Sequence, residues 1–484
     1  MLSNYEEDSF IQTHTKKILF VLLMAGFMCM LNETALCIAF PHIMLQYNIS
    51  AGTVQWLTTI FVLVSGIVFL MSAFLIQRFP TRKLFLSSMA FLILGTIIAG
   101  FSSNFQTLMI SRVIQAIGTG ILVPLIFNSV LILISHEKRG LVMGLVSLVV
   151  LSAPMFSPVL MGFLLEFTDW HWFFLMVFIF FIATTIMGIV YLRNITEILD
   201  TKLDITSVIL AAVGFTGVIT CFSNMGDNGL SLNVTLPLFV GLAALILFTM
   251  RQLRMEHPLL DIRVFKHSFF SIGVLINVIN VMMIFAVVII LPIYLQTVLG
   301  TSSFVASLVM LPGTALGSFL PLLSGHIYDK KGPRIVISTG IAIMCISMIM
   351  LSQLSGTTTL LMVLAIICVL YLGSSLLMSP NQTHTLGNLE SKDYASGSAI
   401  MTSLQQIGGA IGSSLFVSFM TFGQTRYLSN IINPTAIQQI NALLAGINLS
   451  FTIGAVMIGF IFVLSLFLKR NNKHVEESTL ISME

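Results

Sequence analysis

"GHIYDKKGPR", Gly325–Arg334, is a short basic turn between two long apolar runs, and the chain holds an earlier version of it. That version is "AFLIQRFPTRK", Ala73–Lys83. Laying Ala73 on Gly325 pairs Arg78 with Lys330, Pro80 with Gly332 and Arg82 with Arg334. Glycine and proline stop helices, so either turn alone is ordinary punctuation. Together they close the second helix of two six-helix blocks, which marks a duplicated chain. Duplicated membrane halves are typical of secondary transporters, which rock one half against the other around a central site.

The composition agrees. Of 484 residues, 57% are hydrophobic and 8% charged, with a mean hydropathy of +1.01. A water-soluble domain of that length needs far more polar surface, so the chain is read as an integral membrane protein. Fourteen apolar runs are long enough to cross a bilayer core, which takes about 20 residues per helix. They are residues 18–40, 54–76, 84–101, 107–133, 141–165, 172–192, 205–223, 234–250, 268–291, 303–325, 335–352, 358–380, 397–420 and 448–468. With the N-terminus in the cytoplasm, every Lys and Arg except Arg112 and Arg426 falls on the cytoplasmic side, the bias that sets orientation. Both termini are then expected in the cytoplasm, and the first run is expected to be retained rather than cleaved. The five cysteines lie inside apolar runs and read as small buried hydrophobes, with no disulfide framework implied. The net charge of +3 is accounted for by the cytoplasmic turns, and no nucleic acid is expected as a partner.

Four stretches carry a family resemblance. "GHIYDKKGPR" resembles the signature turn of the major facilitator superfamily. "SRVIQAIGTGILVP" in span four resembles its arginine motif through Arg112, Gln115, Gly118 and Gly120. "APMFSPVLMGFLLEFTDWHWFF" in span five is similar to its proline- and glycine-rich antiporter motif through Pro154, Pro158 and Gly162. "MLNETALCIAFP", residues 30–41, resembles the first-span motif of the fourteen-span drug:proton antiporter branch, with one change. The usual aspartate position is Asn32, and the acid stands one place later, at Glu33. The resemblance implies an all-α major facilitator fold of 14 transmembrane helices. Its halves would be residues 1–196 and 253–484, with two inserted helices in 197–252. It also implies a conformational latch at Asp329, Lys330, Arg334 and Arg78, weakened in the first turn, where Gln77 replaces the acid.

Glu33 is the acid placed unambiguously at depth. A carboxylate within a span costs roughly 2.5–3.5 kcal/mol on insertion scales and is functional by default. Desolvation works against charge, so a proton carrier that loads on one side and releases on the other is the expected role. Arg112 is the expected second member of the coupling pair. Glu33 lies about 24 Å along its helix from Lys17, and Arg112 about 36 Å from His136, at 1.5 Å per residue. On that count Arg112 is expected to hydrogen-bond Gln115 and the backbone of span one, leaving the carboxylate to its positive field. The resemblance places the cavity between spans one, four, nine and twelve. Asn32, Glu33, Asn128, Asn277, Asn280 and Asn381 are its candidate substrate-binding residues.

These features predict a plasma-membrane, proton-coupled antiporter that exports lipophilic, including cationic, compounds as a monomer. Its partners are a small molecule, protons and the lipid bilayer, and its driving force is the proton gradient, with no cofactor or metal. No metal-ligand spacing, nucleophile–base set or phosphate-binding loop suggests an enzyme or an ATP-driven pump. Export of one endogenous metabolite, or sensing by a receptor on the same scaffold, stays open on sequence alone.

Overall fold

The structure is a computed structural model that describes residues 2–134, 136–195, 203–228, 231–255, 258–389, 393–429, 431 and 433–466. The described chain is helical: α1 (Leu2–Thr34), α2 (Leu36–Tyr47), α3 (Ala51–Val54), α4 (Trp56–Arg78), α5 (Thr81–Gly100), α6 (Phe105–Leu133), α7 (His136–Phe167) and α8 (His171–Tyr191). It continues with α9 (Ile205–Asn228), α10 (Leu232–Arg254), α11 (Ser268–Ile293), α12 (Ser303–Lys331), α13 (Pro333–Leu351), α14 (Leu360–Gly387), α15 (Tyr394–Leu428) and α16 (Ala436–Ser465).

Every apolar run falls on a helix, because a chain out of water must satisfy its backbone groups internally. Twelve described helical segments are long and apolar enough to cross a membrane. The other two runs fall on α7, which contributes the shorter apolar stretch Ser152–Phe167, and on α15. Serine, threonine and glutamine dilute the hydropathy of α15 over its 35 residues.

The first run is not one helix. It breaks at Ala35, between α1 and α2. Pro41 in α2 withholds a backbone donor and crowds the preceding turn. Side chains from other helices take the carbonyls just before the break, as described below.

α1 packs on α7, α8 and α6, and α5 on α6 and α8; α11 packs on α15 and α14, and α13 on α14 and α16. Two seams join these groups, α7 with α12 and α4 with α15. At the α4–α15 seam the hydroxyls of Thr59 and Ser413 share a hydrogen bond of 2.8 Å. Gln296, on a π-turn (Tyr294–Val298) at the end of α11, donates to the Ile38 carbonyl of α2 at 2.9 Å and accepts from Ser303 of α12 at 2.9 Å. These ties sit toward the end away from the basic turns. α9 and α10 pack on each other, and α9 lies against α15 and α4. Arg251 of α10 grips Asp204, just ahead of α9, at 2.8 and 2.9 Å. That hydrogen-bonded guanidinium holds the Asp204 carboxyl down at about 2. The grip is in place at neutral pH and weakens only as pH falls toward that value.

The α7–α12 seam depends on one missing side chain. A Cβ at Gly162 would lie 2.7 Å from both the Ser303 carbonyl and the Ser307 hydroxyl. Small residues let helices approach this closely in lipid. Gly162→Ala is therefore expected to lower the thermal unfolding midpoint in detergent, at a cost of about 1–3 kcal/mol for an overpacked site. Gly459→Ala, where nothing lies within 4 Å, is expected to leave the midpoint in place or raise it.

Candidate functional site

Three successive carbonyls of α1 are held by side chains from two other helices. Ser157 of α7 donates to the Leu31 carbonyl. Arg112 of α6 donates to the Asn32 carbonyl at 3.1 Å and the Glu33 carbonyl at 3.0 Å. In an unbroken helix those carbonyls accept from residues 35, 36 and 37, so the break at Ala35 coincides with their capture. Arg112 is fully buried. It also donates to the Leu57 carbonyl at 3.2 Å and to Gln115 Oε1 at 2.9 Å, and its guanidinium lies 4.2 Å from the centre of the Phe61 ring. Gln115 in turn donates to Thr96 at 3.1 Å.

Arg112 thus bonds Gln115 and the backbone of the first span, as the sequence suggests. The depth gap inferred from residue counting is absent, since Arg112 reaches the carbonyl of Glu33 itself. Straight-helix counting fails here because α1 begins at Leu2, well ahead of Lys17, so the basic residues do not mark the start of the helix.

Glu33 lines a cavity of about 310 Å³ between the two helix groups. Its side chain is 6% exposed, and Oε2 is buried without a hydrogen-bond partner. Among the described residues it is the one ionisable carboxyl on the wall; Pro154 and Pro158 flank it. Opposite stand Phe285, Tyr371, Asn280 and the adjacent Gln405 and Gln406. The offset that lays Ala73 on Gly325 also lays Glu33 on Phe285, and both residues line the cavity.

Of the six candidate binding residues, the cavity brings together Glu33 and Asn280. Asn32 is fully buried off the wall, because one residue turns a helical side chain by about 100°. Asn277 is buried off the wall as well, and Asn128 is half-buried away from it. Asn381 brackets α14 to α11 by donating to the Gly273 carbonyl at 2.7 Å.

Among the described residues, none of α6 is on the wall, whereas α7, α12 and α15 supply much of it. Spans one, nine and twelve line the cavity as expected, through α1, α11 and α14, and the expected place of span four is corrected. Span four stands behind α1 and holds it through Arg112. Tyr371, Ser374 and the Gln405–Gln406 pair were missed; two adjacent glutamines inside an apolar run were the available signal. Arg78 and Arg334 are exposed. The side chains of Asp329 and Lys330 lie outside the described part of the structure.

The sequence profile described as Major Facilitator Superfamily matches residues 22–413. The chain belongs to the Major Facilitator Superfamily. Within this superfamily it is 39% identical over 449 residues to the lincomycin resistance protein LmrB of Listeria innocua, covering 93% of this chain and 95% of the relative. It is also 39% identical over 457 residues to LmrB of Bacillus subtilis, covering 94% and 95%. The fold matches that of a bacterial homologue of the lysosomal transporter Spinster in an inward-facing, unoccupied conformation. There the TM-score is 0.68 at 14% identity, covering 94% of this chain and 97% of that one. As a member of the Major Facilitator Superfamily the chain is a multi-pass membrane transporter of small molecules, not an enzyme.

Proposed function

We propose that this transporter is a proton-coupled drug exporter of the fourteen-span branch, with Glu33 as the proton carrier. The single observation that carries the reading is the Glu33 carboxyl, bordering the central cavity with Oε2 sealed and unpartnered. A bare carboxylate in that setting is costly. A bound proton or a bound cationic ligand relieves the cost, and both at once are not needed. Competition between the two is antiport: the proton leaves when the drug binds, and the drug leaves when the proton returns.

Arg112 supports the cycle from behind α1. Its bonds to the Asn32 and Glu33 carbonyls fix the backbone that carries the carboxyl, and its charge favours release of the proton. The ties at Gln296 and at Thr59–Ser413 close one end of the cavity. Alternating access requires them to open as the opposite end closes, around the small-residue seam at Gly162. Asp329, Lys330, Arg334 and Arg78 are proposed as the latch at that opposite end.

The lincomycin resistance relatives support drugs as the cargo. The helix lengths of α7 and α15, 32 and 35 residues, support counting both as spans, for fourteen in all. The orientation proposed has both termini in the cytoplasm of a plasma-membrane monomer. Residues 1–196 and 253–484 are the rocking halves, 197–252 are the insert, and the proton gradient is the driving force without a cofactor.

The test is transport by purified protein in proteoliposomes under an imposed pH gradient. Lincomycin is expected to move against its own gradient only while the pH gradient lasts. Accumulation that survives a protonophore overturns proton coupling.

A further inference from the structure

The cavity wall built by α11, α14 and α15 has an unusual hydrogen-bond balance. Its serine hydroxyls are spent. Ser374 donates to Asn280 Oδ1 at 3.0 Å, and Ser375 to the Tyr371 carbonyl at 2.7 Å. On neighbouring α12, Thr314 donates to the Leu311 carbonyl at 3.0 Å, and Ser318 to that of Thr314 at 2.9 Å. Two amide nitrogens on the same wall are not spent: Asn280 Nδ2 and Gln405 Nε2 are buried and without a hydrogen-bond partner. Asn280 is 1% exposed, and the bond from Ser374 uses its oxygen and so leaves its nitrogen as the open group. An unpartnered buried donor is costly, and Asn280 and Gln405 both line the cavity that Glu33 lines.

We infer that Asn280 and Gln405 form a donor subsite that selects cargo by its acceptor oxygens. This deepens the exporter reading and rests on it. The cargo class follows from the two walls. One end is an amine whose positive charge meets Glu33. The other carries carbonyl, ether or hydroxyl oxygens that accept from the two amides. A cavity of about 310 Å³ is at the lower end of the range for drug-sized ligands. Asn280 and Gln405 are then specificity-determining residues: a cation without acceptor oxygens leaves both donors unpaired and is disfavoured.

The experiment compares two probes in proteoliposomes with an imposed pH gradient. Lincomycin is an amine bearing an amide and a hydroxylated sugar; tetraphenylphosphonium is a cation with no acceptor. Rates are measured for wild type, Asn280→Leu and Gln405→Leu, the two variants being on different helices so that one misfolded protein does not decide the result. The ratio of lincomycin to tetraphenylphosphonium transport is expected to fall about tenfold on losing one such donor. A ratio unmoved in both variants, or a wild type that carries tetraphenylphosphonium but not lincomycin, overturns the donor subsite and leaves the exporter reading intact. A wild type that carries neither probe overturns the exporter reading and this inference with it.

Discussion

Glu33→Gln is expected to abolish uphill export while leaving folding intact. The substitution keeps the size and planarity of the side chain and removes the group that must be charged in a site with 6% exposure. Membrane insertion and yield are therefore expected to match or exceed wild type, because a carboxylate at depth is costly and an amide less so. Transport should fall to the rate of passive leak, since an amide cannot exchange a proton for a cation. Binding of neutral ligands should persist, because the remaining walls are unchanged. Glu33→Asp should retain part of the activity with a shifted pH profile, as it keeps the titrating group and withdraws it by one methylene. The measurements are purified yield, ligand binding in detergent, and accumulation in proteoliposomes across a pH series. Full uphill export by Glu33→Gln would move the coupling site elsewhere.

Arg112→Ala is expected to have the largest effect on stability. This guanidinium donates four hydrogen bonds, three of them to carbonyls at the break in the first span and at the start of α4. Truncation leaves those carbonyls and the Gln115 amide oxygen buried without their donor. Such groups cost about 1–3 kcal/mol each, and removing one partner from a buried charged network typically costs about 3–5 kcal/mol. A drop of several degrees in the detergent unfolding midpoint and a lower yield are expected. Arg112→Lys is not a conservative change here, because a single ammonium cannot span the Asn32, Glu33 and Leu57 carbonyls as the planar fork does. It should recover charge and part of the stability and remain impaired in transport. A Lys variant indistinguishable from wild type would reduce Arg112 to a source of charge.

The helices were legible in the sequence for a plain physical reason. About 20 successive apolar residues have one stable arrangement in lipid, and basic turns divide them cleanly. Glu33 was legible because a lone acid in such a run has no structural excuse. The break at Ala35 was not, because much of its cause lies outside the run, in Arg112 and Ser157 on other helices. The cavity wall was only partly legible. In a water-soluble protein, amphipathic period tells inside from outside. A helix at the centre of a membrane bundle is apolar all round, so the sequence around Asn277 and Asn280 does not tell which one borders the cavity. Asn381 shows the same ambiguity resolved the other way: its amide nitrogen donates to the Gly273 carbonyl, away from the cavity wall. The glutamines of α15 reach the wall because α15 packs on both α11 and α4, a contact no single-helix pattern encodes.

If Glu33 gives up a proton when cargo binds, that proton is released to solution and can be measured. Lincomycin is added to detergent-solubilised protein in weakly buffered solution, with a pH indicator, for wild type and Glu33→Gln. A saturable proton release is expected from wild type and none from Glu33→Gln. An equal release from both proteins would contradict it, and would leave Glu33 as a buried group that shapes the cavity without carrying the proton.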